Sequence, residues 1–172
     1  MSKKVLVVVD MQKDFIDGAL GTSEAVAIVG NVAKRIKEFE GEVVFTRDTH
    51  FENYMDTSEG KKLPVPHCIR NTDGWQLDRL IEETRKPDMK IFDKLTFGSV
   101  ELGAYLKEMQ DLREVEVVGL CTDICVISNA LLIKAFVPEV LVAVREDCCA
   151  GVTVESHKNA LSAMKMCQIE VI

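Results

Sequence analysis

The sequence lacks long apolar runs and long basic runs, and each absence excludes a class of protein. Apolar runs such as residues 5–9 and 140–144 contain five residues, whereas a membrane-spanning helix needs roughly 20. No run of lysine and arginine exceeds two residues, and 28 acidic against 21 basic side chains give a net charge of −7. We therefore expect neither a membrane nor nucleic acid as a partner. The five apolar residues after Lys4 are too few for a secretory signal, so we expect a cytoplasmic protein.

Nucleotide-binding and redox motifs are also missing. Neither G-x-G-x-x-G nor G-x-x-x-x-G-K-[ST] occurs, so a dinucleotide or a nucleoside triphosphate is not the expected ligand. Cys121 and Cys125 form C-x-x-x-C rather than C-x-x-C, which disfavours a thioredoxin-type dithiol. The six cysteines show no disulfide framework, and we expect them as thiols. Without repeats or linkers, the 172 residues predict a single domain over residues 1–172.

Short apolar runs alternate with amphipathic segments along the chain. This alternation is typical of a parallel sheet covered by helices on both faces, and it predicts a doubly wound α/β fold. The predicted strands are residues 4–9, 42–46, 90–92, 114–119, 139–144 and 168–172. The predicted helices are residues 26–39, 75–83, 99–109, 124–136 and 153–166.

One connection interrupts this alternation. Residues 48–74 form a polar segment of 27 residues without clear periodicity, and His50 and His67, two of the three histidines, lie in it. Connections of this length inside a compact domain are usually functional or disordered. Because sites in doubly wound sheets form at the carboxyl ends of strands, where this segment begins, we expect it to contribute to a site.

Three reactive side chains follow predicted strands. Asp10 comes directly after the first strand, Lys94 follows the third, and Cys125 follows the fourth. Neighbouring parallel strands lie about 4.8 Å apart, so these side chains can meet if the three strands are adjacent. Together they would supply a base, a cation and a nucleophile. Taken alone, Asp10 could equally cap a turn.

The thiol of Cys125 lies where a strand passes through a tight turn into a helix. Free backbone N–H groups and the helix dipole lower the pKa of a thiol in a first helical turn, so we expect a reactive thiolate. The alternative is a small buried apolar side chain. In the same turn we expect Asp123 to cap the helix, and we expect Cys121 to pack in the core.

The long connection also contains a candidate metal site. Asp48, His50 and His67 offer one carboxylate and two imidazoles, a set that leaves coordination positions open as catalytic divalent sites do. The alternative is that these groups form local hydrogen bonds and that His67 lies on the surface. The third histidine, His157, lies on a predicted helix, and we expect it to be exposed.

Five ordered motifs resemble those of the nicotinamidase branch of the isochorismatase-like cysteine hydrolases, and they span nearly the whole chain. The motifs are VVDMQKDF (residues 8–15), FTRDTH (45–50), PHC with NTDG (66–68 and 71–74), DK with TFGS (93–94 and 96–99), and VGLCTDICV (118–126).

The resemblance implies a three-layer fold with six mostly parallel strands and a catalytic triad of Asp10, Lys94 and Cys125. It implies amide hydrolysis through a cysteine thioester, with nicotinamide converted to nicotinate and ammonia in a pathway of NAD salvage. Backbone N–H groups of Cys121 and Cys125 would form the oxyanion hole. The family also implies a cis peptide bond before Cys121.

The metal set implied by the resemblance is Asp48, His50 and His67, with Glu59 as a further ligand and Asp56 as its alternative. The ion would be divalent, with Zn²⁺ expected and Mn²⁺ or Fe²⁺ as alternatives. We expect Phe15, Leu20 and Phe97 to line the substrate pocket. A small-molecule amide is the expected partner, and we expect a homo-oligomer.

Two features leave the prediction open. The family also contains hydrolases of ureido and carbamoyl compounds, so the runner-up is a metal-independent hydrolase of the same fold that acts on another small amide. Position 121 carries a cysteine where the family usually has a small residue without a thiol. This second thiol beside the nucleophile raises the question of a redox role.

Overall fold

The computed structural model describes residues 3–172 and contains six strands and seven α-helices within them. The strands are β1 (Lys3–Val9), β2 (Glu42–Asp48), β3 (Ile91–Lys94), β4 (Leu112–Leu120), β5 (Leu141–Ala150) and β6 (Glu170–Val171). The helices are α1 (Lys13–Ile16), α2 (Ser23–Glu38), α3 (Ser58–Lys62), α4 (Arg79–Glu82), α5 (Val100–Lys107), α6 (Ile127–Phe136) and α7 (Val154–Met166). A 3-10 turn covers Tyr54–Asp56, and a π-helical turn covers Thr122–Val126.

The strands form one parallel sheet in the order β3-β2-β1-β4-β5-β6. Helices α1, α2 and α4 pack on one face and α5, α6 and α7 on the other, each face with its own apolar core. The predicted doubly wound, three-layer α/β fold is therefore confirmed. Chain order reverses between β1 and β4, and in such sheets ligands bind outside the carboxyl ends of the strands at this switch point.

Strand β1 lies at the centre because its sequence is apolar on both faces. Its side chains alternate between the cores, with Leu6 and Val8 on one face and Val5, Val7 and Val9 on the other. All five are fully buried. A strand of this kind is stable only between two layers of helices, which places its carboxyl end in the middle of the molecule.

A glycine allows the two central strands to approach at the switch point. Gly119 in β4 has φ of 118°, in the region that favours glycine. A β-carbon there would lie 2.1 Å from the carbonyl oxygen of Val9. Any larger residue would therefore push β4 away from β1 just before the turn that carries Cys125.

Several predicted boundaries are wrong. The helix expected over residues 75–83 is reduced to α4, because Leu77 pairs with Gln12 in an antiparallel bridge that keeps the preceding segment extended. Strand β5 continues past Val144 to Ala150. The polar residues 145–147 do not end it, because they lie in an irregular stretch where the pairing with β4 shifts and then resumes. The connection after β2 contains the 3-10 turn and α3.

No helix within residues 3–172 is long and apolar enough to cross a membrane. The cellular location stays a prediction.

Candidate active site

Asp10 and Lys94 form a buried ion pair above the sheet. Asp10 follows β1 directly, its Oδ1 accepts a hydrogen bond from the Thr46 hydroxyl at 2.7 Å, and Nζ of Lys94 lies 2.6 Å from its Oδ2. Strand β2 separates β1 from β3, so the condition that all three strands are adjacent is not met for Lys94. Two strand spacings are about 9.6 Å, and the side chains of Lys94 and Asp10 together bridge this distance.

Cys125, in the turn after β4, lies beside this ion pair. Its Sγ is buried and lies 3.5 Å from Nζ of Lys94. The peptide bond between Leu120 and Cys121 is cis, as expected. In the π-helical turn, the Cys121 carbonyl accepts hydrogen bonds from the N–H groups of Ile124 and Val126. The turn therefore aims the thiol back over the ends of β1 and β3.

Two predictions about this turn are wrong. Asp123 does not cap the helix; its carboxylate accepts a hydrogen bond from the Val152 N–H at 3.1 Å. His157 is half-buried, because its Nδ1 lies 2.7 Å from the hydroxyl oxygen of Thr122. Both side chains thus fasten the segment after β5 and helix α7 to the nucleophile turn.

Burial and the charges of neighbouring groups together shift the pKa values of these three side chains. Burial raises the pKa of Asp10, and the charge of Lys94 opposes this shift. Burial disfavours the ammonium of Lys94, but Asp10 and Cys125 outweigh it and hold the Lys94 pKa above its ordinary value. Burial and the charge of Asp10 raise the pKa of Cys125 well above that of a free thiol. This direction is opposite to the lowering expected from the helix terminus, because loss of hydration disfavours the thiolate.

Four side chains converge beside this group. A carboxylate oxygen or ring nitrogen from each of Asp48, His50, Glu59 and His67 lies within 4.8 Å of the others. The individual distances are 3.0 Å (His50 Nε2 to Asp48 Oδ2), 3.6 Å (His67 Nε2 to Asp48 Oδ2), and 3.7 Å from Glu59 Oε1 to Nε2 of each histidine.

These residues fit a divalent metal ion. Bonds of about 2.0–2.1 Å to a tetrahedral metal separate ligand atoms by roughly 3.4 Å, close to the observed spacing. Among the described residues, Nε2 of His50 is buried without a hydrogen-bond partner. Nδ1 of His67 lies 2.8 Å from the Val65 carbonyl, which leaves Nε2 facing the cluster. Contacts to both histidines and the charge of Lys94 outweigh burial and lower the pKa of Asp48, so its carboxylate is ionised.

The structure brings Glu59, and not Asp56, to the cluster. Glu59 lies in the first turn of α3, where its carboxylate faces the two histidines. Asp56 ends the preceding 3-10 turn and is exposed. The choice between the two carboxylates is therefore decided by the helical turn that begins at Ser58, which the aperiodic sequence did not predict.

Sequence reasoning missed the residues that hold the metal ligands in place. The side chain of Gln12 is fully buried; its Oε1 accepts from the Asp48 N–H at 2.7 Å and its Nε2 donates to the Asp48 carbonyl at 2.9 Å. Asp14 Oδ2 accepts from the Cys68 N–H at 2.7 Å, next to His67. Both residues lie in the motif of residues 8–15. Their polar side chains, just beyond a buried strand, were the feature of the sequence that could have indicated a role in the site.

A cavity of about 510 Å³ opens onto both groups. Phe15, Leu20 and Phe97, the residues expected at the substrate pocket, line it together with Cys125 and the metal-site residues. Cys121 also lines the cavity, and its partly buried side chain packs against the core on the face of α1 and α2, as expected. The arrangement places the thiol of Cys125 and the metal-binding cluster on the wall of one cavity, with the ammonium of Lys94 3.5 Å from the thiol.

Comparison with known sequences identifies relatives along the whole chain. The sequence profile of the isochorismatase domain matches residues 4–172. A Bacillus subtilis protein described as an uncharacterized isochorismatase family protein is 30% identical over 174 residues, with 93% of each chain covered. A Saccharomyces cerevisiae protein named nicotinamidase is 28% identical over 174 residues, which cover 74% of this chain and 80% of the relative.

Solved structures share the fold. The pyrazinamidase of Pyrococcus horikoshii, solved in complex with zinc, has a TM-score of 0.83 and 28% identity, with 99% of this chain and 98% of that chain covered. The N-carbamoylsarcosine amidase of Thermoplasma acidophilum has a TM-score of 0.79 and 28% identity, with 98% and 95% covered. Both likenesses extend over nearly the full length of the chains compared.

Proposed function

Because the chain belongs to the isochorismatase family, we propose that it is a nicotinamidase, an amidohydrolase that converts nicotinamide to nicotinate and ammonia. The observation that carries this proposal is the position of Nζ of Lys94, which lies 2.6 Å from Asp10, 3.4 Å from Asp48 and 3.5 Å from Sγ of Cys125. One cation thus joins the nucleophile to the metal cluster. A single small substrate can therefore present its amide to the thiol and its ring nitrogen to the cluster.

The first half of the reaction forms a thioester. Asp10 accepts the thiol proton of Cys125, and Lys94 stabilises the resulting anion. The thiolate attacks the amide carbonyl carbon, and the backbone N–H groups of Cys121 and Cys125 stabilise the oxyanion; removing one such donor typically costs about 3 kcal/mol. Asp10 then gives its proton to the departing nitrogen, which leaves as ammonia.

The second half releases the acid. Asp10, ionised again, accepts a proton from water, and the resulting hydroxide attacks the thioester carbonyl. The carbon–sulfur bond breaks, the proton on Asp10 returns to the Cys125 thiolate, and the nicotinic acid formed loses its hydroxyl proton to solvent and leaves as nicotinate. The raised pKa of Cys125 favours the return of this proton to the thiolate.

We propose Asp48, His50, Glu59 and His67 as ligands of Zn²⁺, with Mn²⁺ and Fe²⁺ as alternatives. Two imidazoles with carboxylates are a donor set that zinc accepts, and the Pyrococcus horikoshii neighbour was solved with zinc. A bound ion would act as a Lewis acid toward a ring nitrogen and would thereby orient the substrate. Phe15, Leu20 and Phe97 supply apolar contacts to the ring. The homo-oligomer stays a prediction.

The test is metal analysis of the purified protein combined with assays of ammonia and nicotinate after addition of nicotinamide. We expect one divalent ion per chain and equal amounts of the two products. Metal-loaded protein that releases no ammonia from nicotinamide would overturn the proposal.

A carbamoyl amide is the second candidate substrate, because the structural neighbour from Thermoplasma acidophilum is an N-carbamoylsarcosine amidase. The same preparation should be assayed with N-carbamoyl amino acids. Release of ammonia from these compounds alone would favour this candidate. Full activity after removal of the metal by a chelator would favour a metal-independent hydrolase.

A further inference from the structure

A buried asparagine connects the nucleophile turn to the wall of the cavity. Asn129, on α6, has 0% of its surface exposed. Its Nδ2 donates hydrogen bonds to the carbonyl groups of Cys125 at 2.8 Å and Phe97 at 3.0 Å. Its Oδ1 accepts a hydrogen bond from the N–H of Ser99 at 2.9 Å. Both amide hydrogens and the amide oxygen are therefore engaged.

The partners of Asn129 also define how its amide is oriented. The two carbonyl groups can only accept hydrogen bonds, and the Ser99 N–H can only donate one. Rotating the amide by half a turn would set its oxygen against two carbonyl oxygens and its NH₂ against an N–H. Among side chains of this size, only an amide satisfies the three partners together.

The wall segment, residues 95–98, is held mainly by such polar contacts. Leu95 and Phe97 expose 67% and 40% of their surface, so burial does little to fix their positions. Nζ of Lys94 donates to the Thr96 carbonyl at 3.2 Å, and Asn129 holds Phe97 and Ser99. Phe97 nevertheless lines the cavity beside Cys125.

We infer that Asn129 is a positioning residue that holds Phe97 at a fixed distance from Cys125, and so orients the ring of an aromatic amide toward the thiol. The inference rests on the proposed function for its substrate. Asn129 does not touch the substrate; it acts through the wall segment. Without it, the wall moves relative to the nucleophile, and small misplacements of a bound carbonyl reduce productive binding strongly.

The first experiment measures steady-state kinetics of Asn129→Ala with nicotinamide. Loss of the hydrogen bonds to the Phe97 carbonyl in the wall segment and to the Ser99 N–H that follows this segment should raise KM about tenfold and change kcat by less than about threefold. The rate of alkylation of Cys125 by iodoacetamide, followed by mass spectrometry of its peptide, should stay within about twofold of the parent, because the variant loses a bond to the Cys125 carbonyl but keeps Lys94 beside the thiol. Asn129→Asp, which keeps the acceptor for Ser99 but loses donors, should not restore KM.

The matched control is Ile133→Val on the same helix, which removes one buried methylene from the core without touching the wall segment. It should lower thermal stability and leave KM unchanged. An equal rise of KM in this variant would overturn the inference, because the effect would then follow stability alone.

The second experiment is a double-mutant cycle with Phe97→Ala. If Asn129 acts through Phe97, Asn129→Ala should raise KM less than about twofold once the Phe97 ring is absent. Full additivity of the two effects would contradict the inference.

The third experiment needs no substrate. Hydrogen exchange of the ligand-free protein should show faster exchange at Ser99 in Asn129→Ala than in the parent, but not in Ile133→Val. If the parent protein hydrolyses no nicotinamide, the proposed function is overturned. The exchange measurement at Ser99 would still test the role of Asn129. Unchanged exchange at Ser99 would overturn the inference.

Discussion

In the nucleophile half of the site, two of the three side chains lie at strand ends. In the metal half, most of the side chains lie in a loop. Asp10 follows β1 and Lys94 ends β3, so the sheet itself fixes their spacing. Of the metal cluster, only Asp48 ends a strand; the other three members come from the connection after β2. The comparison shows that one half takes its geometry from the fold and the other from specific side chains.

Three side chains fix the backbone around the metal cluster through four hydrogen bonds. Gln12 holds both backbone groups of Asp48, and Asp14 holds the N–H of Cys68. Nε1 of Trp75 donates to the Thr49 hydroxyl at 2.9 Å. We therefore expect substitutions to affect the two halves separately. Changes in the nucleophile half should abolish hydrolysis without loss of the metal. Changes in the metal half should release the metal and leave the Cys125 thiol intact.

The largest effect is expected for Cys125→Ala. Removing the nucleophile should lower kcat at least about a thousandfold. The fold should persist, and metal content should equal that of the parent because the cluster is untouched. Ammonia release and metal analysis of one preparation check both statements, and Cys167→Ala, at an exposed thiol, is the control. Turnover close to that of the parent would remove Cys125 from its assigned role.

Lys94→Met should have the second-largest effect, because the Lys94 ammonium contacts both halves of the site. Burial already raises the pKa of Asp10 and Lys94 opposes the shift, so removing the charge raises that pKa further. Asp10 must be ionised to accept a proton, so activity is lost as pH falls through its pKa. The loss should begin at higher pH in the variant, with kcat/KM at neutral pH lower by about 10²-fold.

The measurement for Lys94→Met is kcat/KM against pH, with the exposed Lys107→Met as the control. An acid limb that does not move would show that Lys94 does not set the protonation of Asp10.

In the metal half, His67→Ala should lower metal affinity more than about 100-fold and raise KM for nicotinamide. Glu59→Gln should have a smaller effect, because this carboxylate is the most exposed member of the cluster. Asp56→Asn, outside the cluster, is the matched control. Metal content at a series of chelator concentrations gives the order, and a larger loss in Asp56→Asn than in Glu59→Gln would contradict the geometry.

The smallest effect is expected for Cys121→Ala. Its proposed contribution is a backbone N–H, which alanine keeps, so kcat should change less than about threefold. Burial raises the Cys121 pKa to about 12, which disfavours the thiolate needed for oxidation. After mild peroxide and then dithiothreitol, parent and variant should recover activity equally. A disulfide between Cys121 and Cys125 in the parent, found by mass spectrometry, would instead establish a redox role.

The sequence predicted the parts of the site that follow from periodic patterns. The apolar run of β1 placed Asp10 at a strand end, and the doubly wound pattern placed the site at the switch point. Resemblance supplied the grouping of Cys125 with Asp10 and Lys94. The pattern alone did not, since it gave no strand order and β2 lies between β1 and β3.

The remaining features depend on contacts between distant segments. The short length of α4 follows from the pairing of Leu77 with Gln12, and the burial of His157 follows from its contact with Thr122. Asn129 lies within an ordinary helical pattern, and nothing local indicates that its amide spans two segments. The Cys125 pKa is set by its burial beside Asp10, which outweighs the local helix terminus.

The most direct test of covalent catalysis by Cys125 is mass spectrometry of the enzyme after rapid acid quench during turnover of nicotinamide. A thioester intermediate predicts that the peptide containing Cys125 gains the mass of one nicotinoyl group. The gain should be absent in Cys125→Ala and should disappear once the substrate is consumed. Turnover without any acylated Cys125 peptide, or with the nicotinoyl group on another residue, would contradict the mechanism.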